Sequence, residues 1–281
     1  MCAEHPADSD ARPARGAARL TRRRVLAGAA ATGTLAAAAV AFGRPDGGAA
    51  APAPPAGALV APGLRIIPRD AWGADLPPQD ELHREPDVRF LLVHHTAGTE
   101  TQPTRDALRS IYAFHTGNDP TKGWPDVCYQ FFIDRDGLVW EGRAGSTLEP
   151  IEADATGGSQ GFAQLVCMIG TFSDHLPTPA AQASLVATLA WLAERSDLDT
   201  TPGAVVSFAS RGSNRWPKGA EVTTPTIAGH RDMTYTECPG DALYDLVRGD
   251  LTARVDAHRQ AWRASSDGLS PAIRLGVPDP P

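Results

Sequence analysis

The first 63 residues offer almost nothing from which a folded core can be built, and this limits the fold to the chain that follows. Residues 1–24 carry six Arg against three acidic residues, and residues 25–42 are small or apolar without a single charge. Residues 51–57 read Ala-Pro-Ala-Pro-Pro-Ala-Gly, a stiff spacer that cannot pack a core. We therefore expect residues 64–262 to form the fold, which is the length of one domain.

The basic segment followed by an apolar run and small residues has the layout of an export signal. Its Thr21–Leu26 stretch, Thr-Arg-Arg-Arg-Val-Leu, resembles a twin-arginine signal, which implies export in the folded state. A membrane-spanning helix is the alternative, because the run has about the minimum length for a span. Its Ala and Gly content makes it weakly hydrophobic, which favours the signal.

We accordingly divide the chain into four parts. We predict a twin-arginine-type signal peptide over residues 1–43, a Pro/Ala-rich linker over 44–63, the folded domain over 64–262 and a flexible tail over 263–281. The protein is then secreted or associated with the cell wall, and we expect no stable membrane span after signal removal.

Strand-like and helix-like segments alternate within residues 64–262. Phe90–Val93 is a short apolar run typical of a buried strand, and residues 105–116 have helical spacing and stop at Gly117. Residues 127–134 alternate and then turn at Asp136-Gly137 into 138–140, which predicts a hairpin. Further predictions are strands at 164–169 and 226–228, a helix capped by Thr178 with an apolar stripe, and a helix over 243–258. Residues 207–222 are predicted to form a hairpin or loop beside the functional site, which either shapes specificity or only connects strands. These segments predict a single α/β domain with a central mixed β-sheet flanked by helices, and a site at the strand ends in a surface groove.

Residues that can bind a metal stand at the ends of two predicted strands. His94 and His95 close the first strand, where consecutive side chains point to opposite faces, so only one of them can face a given site. His230 follows the 226–228 strand, and Cys238 comes eight residues later. Two imidazoles and a thiolate suit zinc and leave a fourth position open for water, as a catalytic zinc requires. The alternative is that these histidines are hydrogen-bonded structural residues.

The cysteine count and the charge narrow the chemistry further. Of four Cys, Cys2 leaves with the signal, so the exported protein keeps Cys128, Cys167 and Cys238. An odd number leaves at least one outside any intramolecular disulfide. We expect Cys128 and Cys167 to pair or to remain buried thiols while Cys238 binds metal; alternatively, Cys238 joins one of the others and no metal is bound. The formal net charge of −7 argues against a nucleic-acid partner.

Five blocks of sequence, taken together, resemble one protein family. They are Ile66–Ala74, Val93–Gly98, Gly123–Tyr129, Asp136–Arg143, and Ile227–Asp232 with Cys238-Pro239-Gly240. In this order they resemble the peptidoglycan recognition protein family, within the type 2 zinc-dependent N-acetylmuramoyl-L-alanine amidases. The resemblance runs from about residue 66 to 250 and implies zinc-dependent hydrolysis of the amide between N-acetylmuramic acid and L-alanine in peptidoglycan. The expected partners are the glycan strand and the stem peptide, and the expected state is a monomer. The alternative is a non-catalytic peptidoglycan-binding module of the same fold. The ligand set distinguishes the two, because the resemblance implies that non-catalytic members lack the Cys.

The resemblance also implies catalytic and metal-binding roles for individual residues. It selects His94 over His95 as the zinc ligand, together with His230 and Cys238. Tyr129 matches a tyrosine beside the zinc, whose hydroxyl orients the attacking water or steadies the oxyanion. Thr236 matches a position that is Thr in many recognition proteins and Lys in phage lysozyme-like amidases, and a neutral hydroxyl stabilises negative charge less than an ammonium does.

Four further positions match residues that line the peptidoglycan groove in the family: Thr96, His115, Trp124 and Arg143. Packing is the alternative role for Trp124, and a structural ion pair is the alternative for Arg143. Glu141 and His115 are candidate proton donors to the leaving amine, against the alternatives of an exposed Glu and a structural His. A general zinc peptidase is disfavoured because the sequence has no His-Glu-x-x-His motif.

Overall fold

The computed structural model describes residues 56–117 and 123–265. The predicted signal peptide, most of the predicted linker and most of the predicted tail lie outside these residues. The strands are β1 (Ala58–Ala61), β2 (Leu64–Ile67), β3 (Phe90–His95), β4 (Phe131–Ile133), β5 (Val139–Glu141), β6 (Ala163–Met168), β7 (Val205–Ala209), β8 (Glu221–Pro225) and β9 (Ile227–Gly229). The helices are α1 (Asp70–Gly73), α2 (Thr104–His115), α3 (Pro179–Arg195), α4 (His230–Met233), α5 (Asp241–Arg248) and α6 (Leu251–Ser265).

Seven of the strands form one mixed sheet in the order β1-β2-β5-β4-β6-β3-β9. β3 lies parallel to both β6 and β9, whereas β4 and β5 form the antiparallel hairpin predicted around Asp136-Gly137. β7 and β8 form a separate two-stranded sheet, so the 207–222 segment is a hairpin. The prediction of an α/β domain with a central mixed sheet flanked by helices is confirmed.

The sheet is buried on both faces, and this determines where its side chains go. Along β3, Leu91 and Val93 pack into a core with α3, α5 and α6, whereas Phe90 and Leu92 pack into a second core with α2 and the β7–β8 hairpin. The alternation continues to the end of the strand. His94 therefore faces the second core, and His95 faces the first.

The helix predicted from the Thr178 cap forms as expected. The Thr178 hydroxyl accepts a hydrogen bond from the Ala181 N–H at 3.1 Å, and Pro179 occupies the first turn, where its missing N–H costs nothing. The predicted stripe of Ala181, Leu185, Leu189 and Leu192 is buried against the sheet. No helix among the described residues is both long and apolar enough to cross a membrane.

The observed elements differ from the predicted ones at four points. The sheet begins at β1, inside the segment predicted as linker, because Pro62-Gly63 turns the chain back so that Ala58–Ala61 pairs with β2. The predicted 243–258 helix is two helices, α5 and α6, which are separated at Gly249. The predicted 127–134 strand is regular only from Phe131, and α6 continues to Ser265, past the predicted domain end at 262.

Candidate metal centre

Three side chains that can bind a metal meet at the carboxyl ends of β3 and β9. The parallel register of β3 and β9 pairs Val93 with Gly229. The residues that follow them, His94 and His230, therefore lie side by side. Their imidazole centroids are 4.2 Å apart, and Cys238 Sγ lies 3.5 Å from His94 Nδ1. The ligand atoms of the three residues all lie within 4.8 Å of one another. All three side chains are buried, with 0–1 % exposure.

This donor set fits a zinc ion. A tetrahedral zinc with ordinary bond lengths holds its nitrogen and sulfur ligands about 3.6 Å apart, close to the His94–Cys238 distance. Burial, and then the neighbouring imidazoles of His230 and His95, lower the pKa of His94 well below its usual value, so its ring is neutral and has a lone pair to offer. Nε2 of the same ring is buried with no hydrogen-bond partner among the described residues. The ring therefore contacts the Cys238 sulfur through Nδ1 and leaves Nε2 available for a metal.

His95 has a different environment. Its Nδ1 accepts a hydrogen bond from the Phe172 N–H at 3.3 Å, on the opposite face of the sheet from His94. Its backbone N–H donates to Cys238 Sγ at 3.4 Å, a contact that orients the sulfur. His95 therefore supports the cluster through its backbone, while its side chain belongs to the first core.

The loop that carries Cys238 is held in a narrow space. Gly240 has φ +90° in this loop, and a Cβ at this position would meet the Phe172 carbonyl oxygen at 2.3 Å. Thr236 Oγ1 accepts a hydrogen bond from the Cys238 N–H at 3.2 Å. The Thr236 hydroxyl thus has a structural contact that fixes the backbone at Cys238.

Tyr129 lies beside the metal-binding candidates, as the resemblance implies. Its ring centroid is 5.0 Å from that of His94 and 5.8 Å from that of His115, and the residue is buried. His115 lies in turn 5.1 Å from the Trp124 ring. These aromatic and imidazole side chains form one continuous row that begins at His94 and ends at the half-buried Trp124.

His115 and Thr96, which were also predicted to line the groove, both accept hydrogen bonds from backbone N–H groups. His115 is buried, and its Nδ1 accepts a hydrogen bond from the Cys128 N–H at 3.2 Å. The Thr96 hydroxyl accepts a hydrogen bond from the Gly170 N–H at 3.0 Å, so it joins the loops that follow β3 and β6.

Arg143, expected to line the substrate groove, is a buried residue. It is 3 % exposed, and its Nε donates to the Val127 carbonyl at 2.9 Å. Its other two nitrogens donate to the Glu152 carbonyl and to the Asp154 carboxylate. Arg143 thus makes the structural ion pair, with Asp154, that is the alternative to a substrate-binding role, and three of the five N–H donors of its guanidinium are bound to protein oxygens.

Glu141 is buried rather than exposed. Its two carboxylate oxygens accept hydrogen bonds from the backbone N–H groups of Arg69, at 3.1 Å, and Thr147, at 2.9 Å. Each oxygen of this carboxylate therefore binds the backbone of a different segment of the chain. Within the described part of the chain, no disulfide joins Cys128 to Cys167, and both are buried.

The β7–β8 loop contacts the chain between two of the metal-binding candidates. Its residues Ser213–Trp216 pack against the short connector between His230 and Cys238. Gly212, Asn214 and Pro217 predict a hairpin or loop beside the site, but no local pattern in the sequence shows which segment the loop contacts.

The chain was compared with known proteins. The model of the family described as N-acetylmuramoyl-L-alanine amidase matches residues 84–241. The human N-acetylmuramoyl-L-alanine amidase is 36% identical over 190 residues, which cover 65% of this chain and 28% of that protein. The pig protein of the same name is 30% identical over 218 residues, or 76% of this chain and 32% of that protein. The chain thus spans a third or less of the length of these two relatives.

Smaller relatives are matched over most of their length. Peptidoglycan recognition protein 1 of Bos taurus is 30% identical over 183 residues, which cover 65% of this chain and 82% of that protein. The crystal structure of Drosophila peptidoglycan recognition protein SD has the same fold, with a TM-score of 0.50 and 19% identity over 66% of this chain and 94% of that one. The chain therefore belongs to the N-acetylmuramoyl-L-alanine amidase family.

Proposed function

We propose that this protein is a zinc-dependent amidase that hydrolyses the bond between N-acetylmuramic acid and L-alanine in peptidoglycan. The observation that carries the proposal is the buried cluster of His94, His230 and Cys238 with Tyr129 beside it. A module that only binds peptidoglycan has no need of a thiolate between two imidazoles, and the resemblance implies that such modules lack it. The cluster therefore favours the enzyme over the binding module.

The three ligands and Tyr129 have separate tasks in this proposal. Zinc, when bound, supplies a water whose pKa is lowered to about 7 and a Lewis acid that polarises the substrate carbonyl. His94, His230 and Cys238 would hold the ion, and three protein ligands suit a catalytic zinc, which keeps one position for water. The Tyr129 hydroxyl donates a hydrogen bond to the carbonyl oxygen as negative charge develops on it. The buried surroundings strengthen this interaction, because the effective dielectric constant is low there.

The remaining polar residues act around this centre. Thr236 positions Cys238 through the backbone hydrogen bond described above and is not required to carry charge. Trp124 and His115 continue the row of rings outward from Tyr129, and the half-buried Trp124 offers a flat apolar face on which a sugar or a stem peptide can pack. Thr96 borders the same end of the sheet.

The proposed location follows from the proposed substrate. Peptidoglycan lies outside the cytoplasmic membrane, and the Arg22-Arg23-Arg24 segment with its apolar run has the layout of a twin-arginine export signal. We propose that the enzyme is exported folded, as a monomer, and acts as a secreted or wall-associated protein.

Digestion of purified peptidoglycan tests the function directly. The protein is incubated with cell-wall material with and without a chelator, and the released fragments are analysed by mass spectrometry. We expect stem peptides with a free L-alanine amino terminus, and we expect none with chelator or with Cys238→Ala. Stoichiometric zinc without any new amino terminus would instead support the binding module.

A further inference from the structure

The connector between His230 and Cys238 has little regular structure of its own. α4 is a single turn that ends at Met233, and the chain then runs extended through Thr234 to reach the Cys238 loop. The last carbonyl groups of a helix have no partner within it and need donors from elsewhere. The positions of His230 and Cys238 therefore depend on the residues that donate hydrogen bonds to these carbonyls.

The β7–β8 loop supplies them to three consecutive carbonyls. The Arg215 guanidinium donates to the Arg231 carbonyl. Trp216 Nε1 donates to the Asp232 carbonyl at 2.9 Å, and Ser213 Oγ donates to the Met233 carbonyl at 2.8 Å. The loop thus acts as a C-terminal cap for the helical turn that begins with His230.

Asn214 binds the next two residues of the connector. Its Oδ1 accepts hydrogen bonds from the Tyr235 N–H at 2.7 Å and from the Thr234 hydroxyl at 2.5 Å. Its Nδ2 donates to the Tyr235 carbonyl at 3.3 Å. One side chain therefore satisfies both backbone groups of Tyr235, three residues before Cys238.

We propose that the β7–β8 loop is a positioning element for the metal centre, with Asn214 and Trp216 as its principal positioning residues. The inference rests on the proposed zinc site and deepens it. By binding the connector at every residue from 231 to 235, the loop fixes the separation and orientation of His230 and Cys238 before the ion arrives. Because the connector is already ordered, zinc binding costs less conformational entropy, and the affinity for zinc is higher.

The expected effect is on metal affinity. Mutation of outer partners that orient metal ligands typically lowers affinity about 10–100-fold. We expect Asn214→Ala and Trp216→Phe each to raise the zinc dissociation constant about tenfold. Trp216→Phe keeps an aromatic ring at this position but removes the Nε1–H that reaches the Asp232 carbonyl, together with part of the ring volume.

Zinc affinity of the whole chain, measured by competition with a chromophoric chelator, tests the inference. Ser207→Ala is the matched control, because the Ser207 hydroxyl bonds the Thr223 hydroxyl at 2.8 Å, on the same hairpin but away from the connector. We expect the control to bind zinc as the wild type does. Amide hydrogen exchange of the zinc-free proteins provides a second readout, and we expect faster exchange at residues 231–237 in Asn214→Ala and not in Ser207→Ala.

The outcomes separate this inference from the proposed function. If the wild type binds zinc tightly and both loop variants bind it equally well, the positioning role is refuted while the amidase proposal stands. An equal loss of affinity in Ser207→Ala would also refute it, since the effect would then come from general weakening of the hairpin. If the wild type binds no zinc at all, the proposed metal site and the positioning role fail together. Should Asn214→Ala not fold, Trp216→Phe and the control decide the question.

Discussion

Asp126 and Arg69 form a buried ion pair whose loss should be among the most damaging single changes in this protein. Arg69 Nη1 donates to both carboxylate oxygens of Asp126, at 2.8 and 2.9 Å, and the side chains are 8% and 0% exposed. Asp126 also accepts hydrogen bonds from the backbone N–H groups of Val127 and Ala144. This network joins α1 to the segment that leads to Tyr129.

The perturbation is Asp126→Asn, which removes the charge with almost no change in size. Arg69 then keeps its positive charge in a buried position with only neutral acceptors, which are the carbonyls of Gly142 and Leu76 and the amide oxygen of the substituted side chain. The amide nitrogen of Asn cannot accept a hydrogen bond, so at least one donor also loses its partner. Removing one partner of a buried ion pair costs about 3–5 kcal/mol. For a domain of this size, that loss corresponds to a fall in Tm of roughly 6–20 °C.

The assay is urea unfolding followed by circular dichroism, with a calorimetric Tm as a second measurement. Asp75→Asn is the control, because it also replaces an Asp paired with an Arg, here Arg109, but at the surface. Solvent screens that pair, so we expect no measurable loss of stability. If Asp126→Asn were no less stable than Asp75→Asn, burial would not govern the strength of this pair and the reasoning would be refuted.

Three further predictions concern the metal site and the pH dependence of stability. Cys238→Ala should lose both bound zinc and activity, whereas Tyr129→Phe should keep zinc and lose about 10²–10³-fold in kcat, as removal of one oxyanion donor does. Metal analysis and single-turnover rates distinguish the two variants. Loss of zinc from Tyr129→Phe would contradict the role given to the Tyr129 hydroxyl. Activity lost to a chelator should return when zinc is added back, and recovery without metal would count against a zinc enzyme. Burial, and then the charge of Glu152, raise the pKa of Glu85 to about 8. Since the folded state holds this proton more tightly than the unfolded one, the stabilisation is complete below pH 4.5 and is lost as the pH rises through 8. Glu85→Gln should flatten the decline in unfolding free energy between pH 5 and pH 9, and an unchanged slope would show that Glu85 does not titrate in this range.

Local sequence patterns predicted those elements whose signals lie within a few residues. Thr178 and Pro179 marked the start of α3, and Asp136-Gly137 marked the β4–β5 turn, because caps and turns depend on the residues that form them. β1 was missed because a four-residue strand carries too short a pattern to separate it from a Pro-rich linker. The break between α5 and α6 was missed because a single Gly in an amphipathic run does not by itself end a helix.

The surroundings of a charged side chain depend on partners that are distant in the sequence. Arg143 and Glu141 carry the charges expected of ligand-binding or proton-donating groups, yet both are buried and bound to backbone groups. The acceptors and donors that bind them lie in loops whose approach no local pattern describes. Burial of a charged side chain is therefore a result of tertiary packing and cannot be read from its residue type.

The sequence by itself determined that one α/β domain follows a basic, apolar and Pro-rich segment, and that two histidines and a cysteine stand near strand ends. Strand alternation alone could not choose between His94 and His95, because period-two geometry fixes only that they face opposite ways. The tertiary structure decided the matter: the parallel register of β3 with β9 places His94 beside His230, and packing of the first core leaves His95 against Phe172. It also brought the β7–β8 loop onto the connector to Cys238, a contact between segments that only the folded chain brings together.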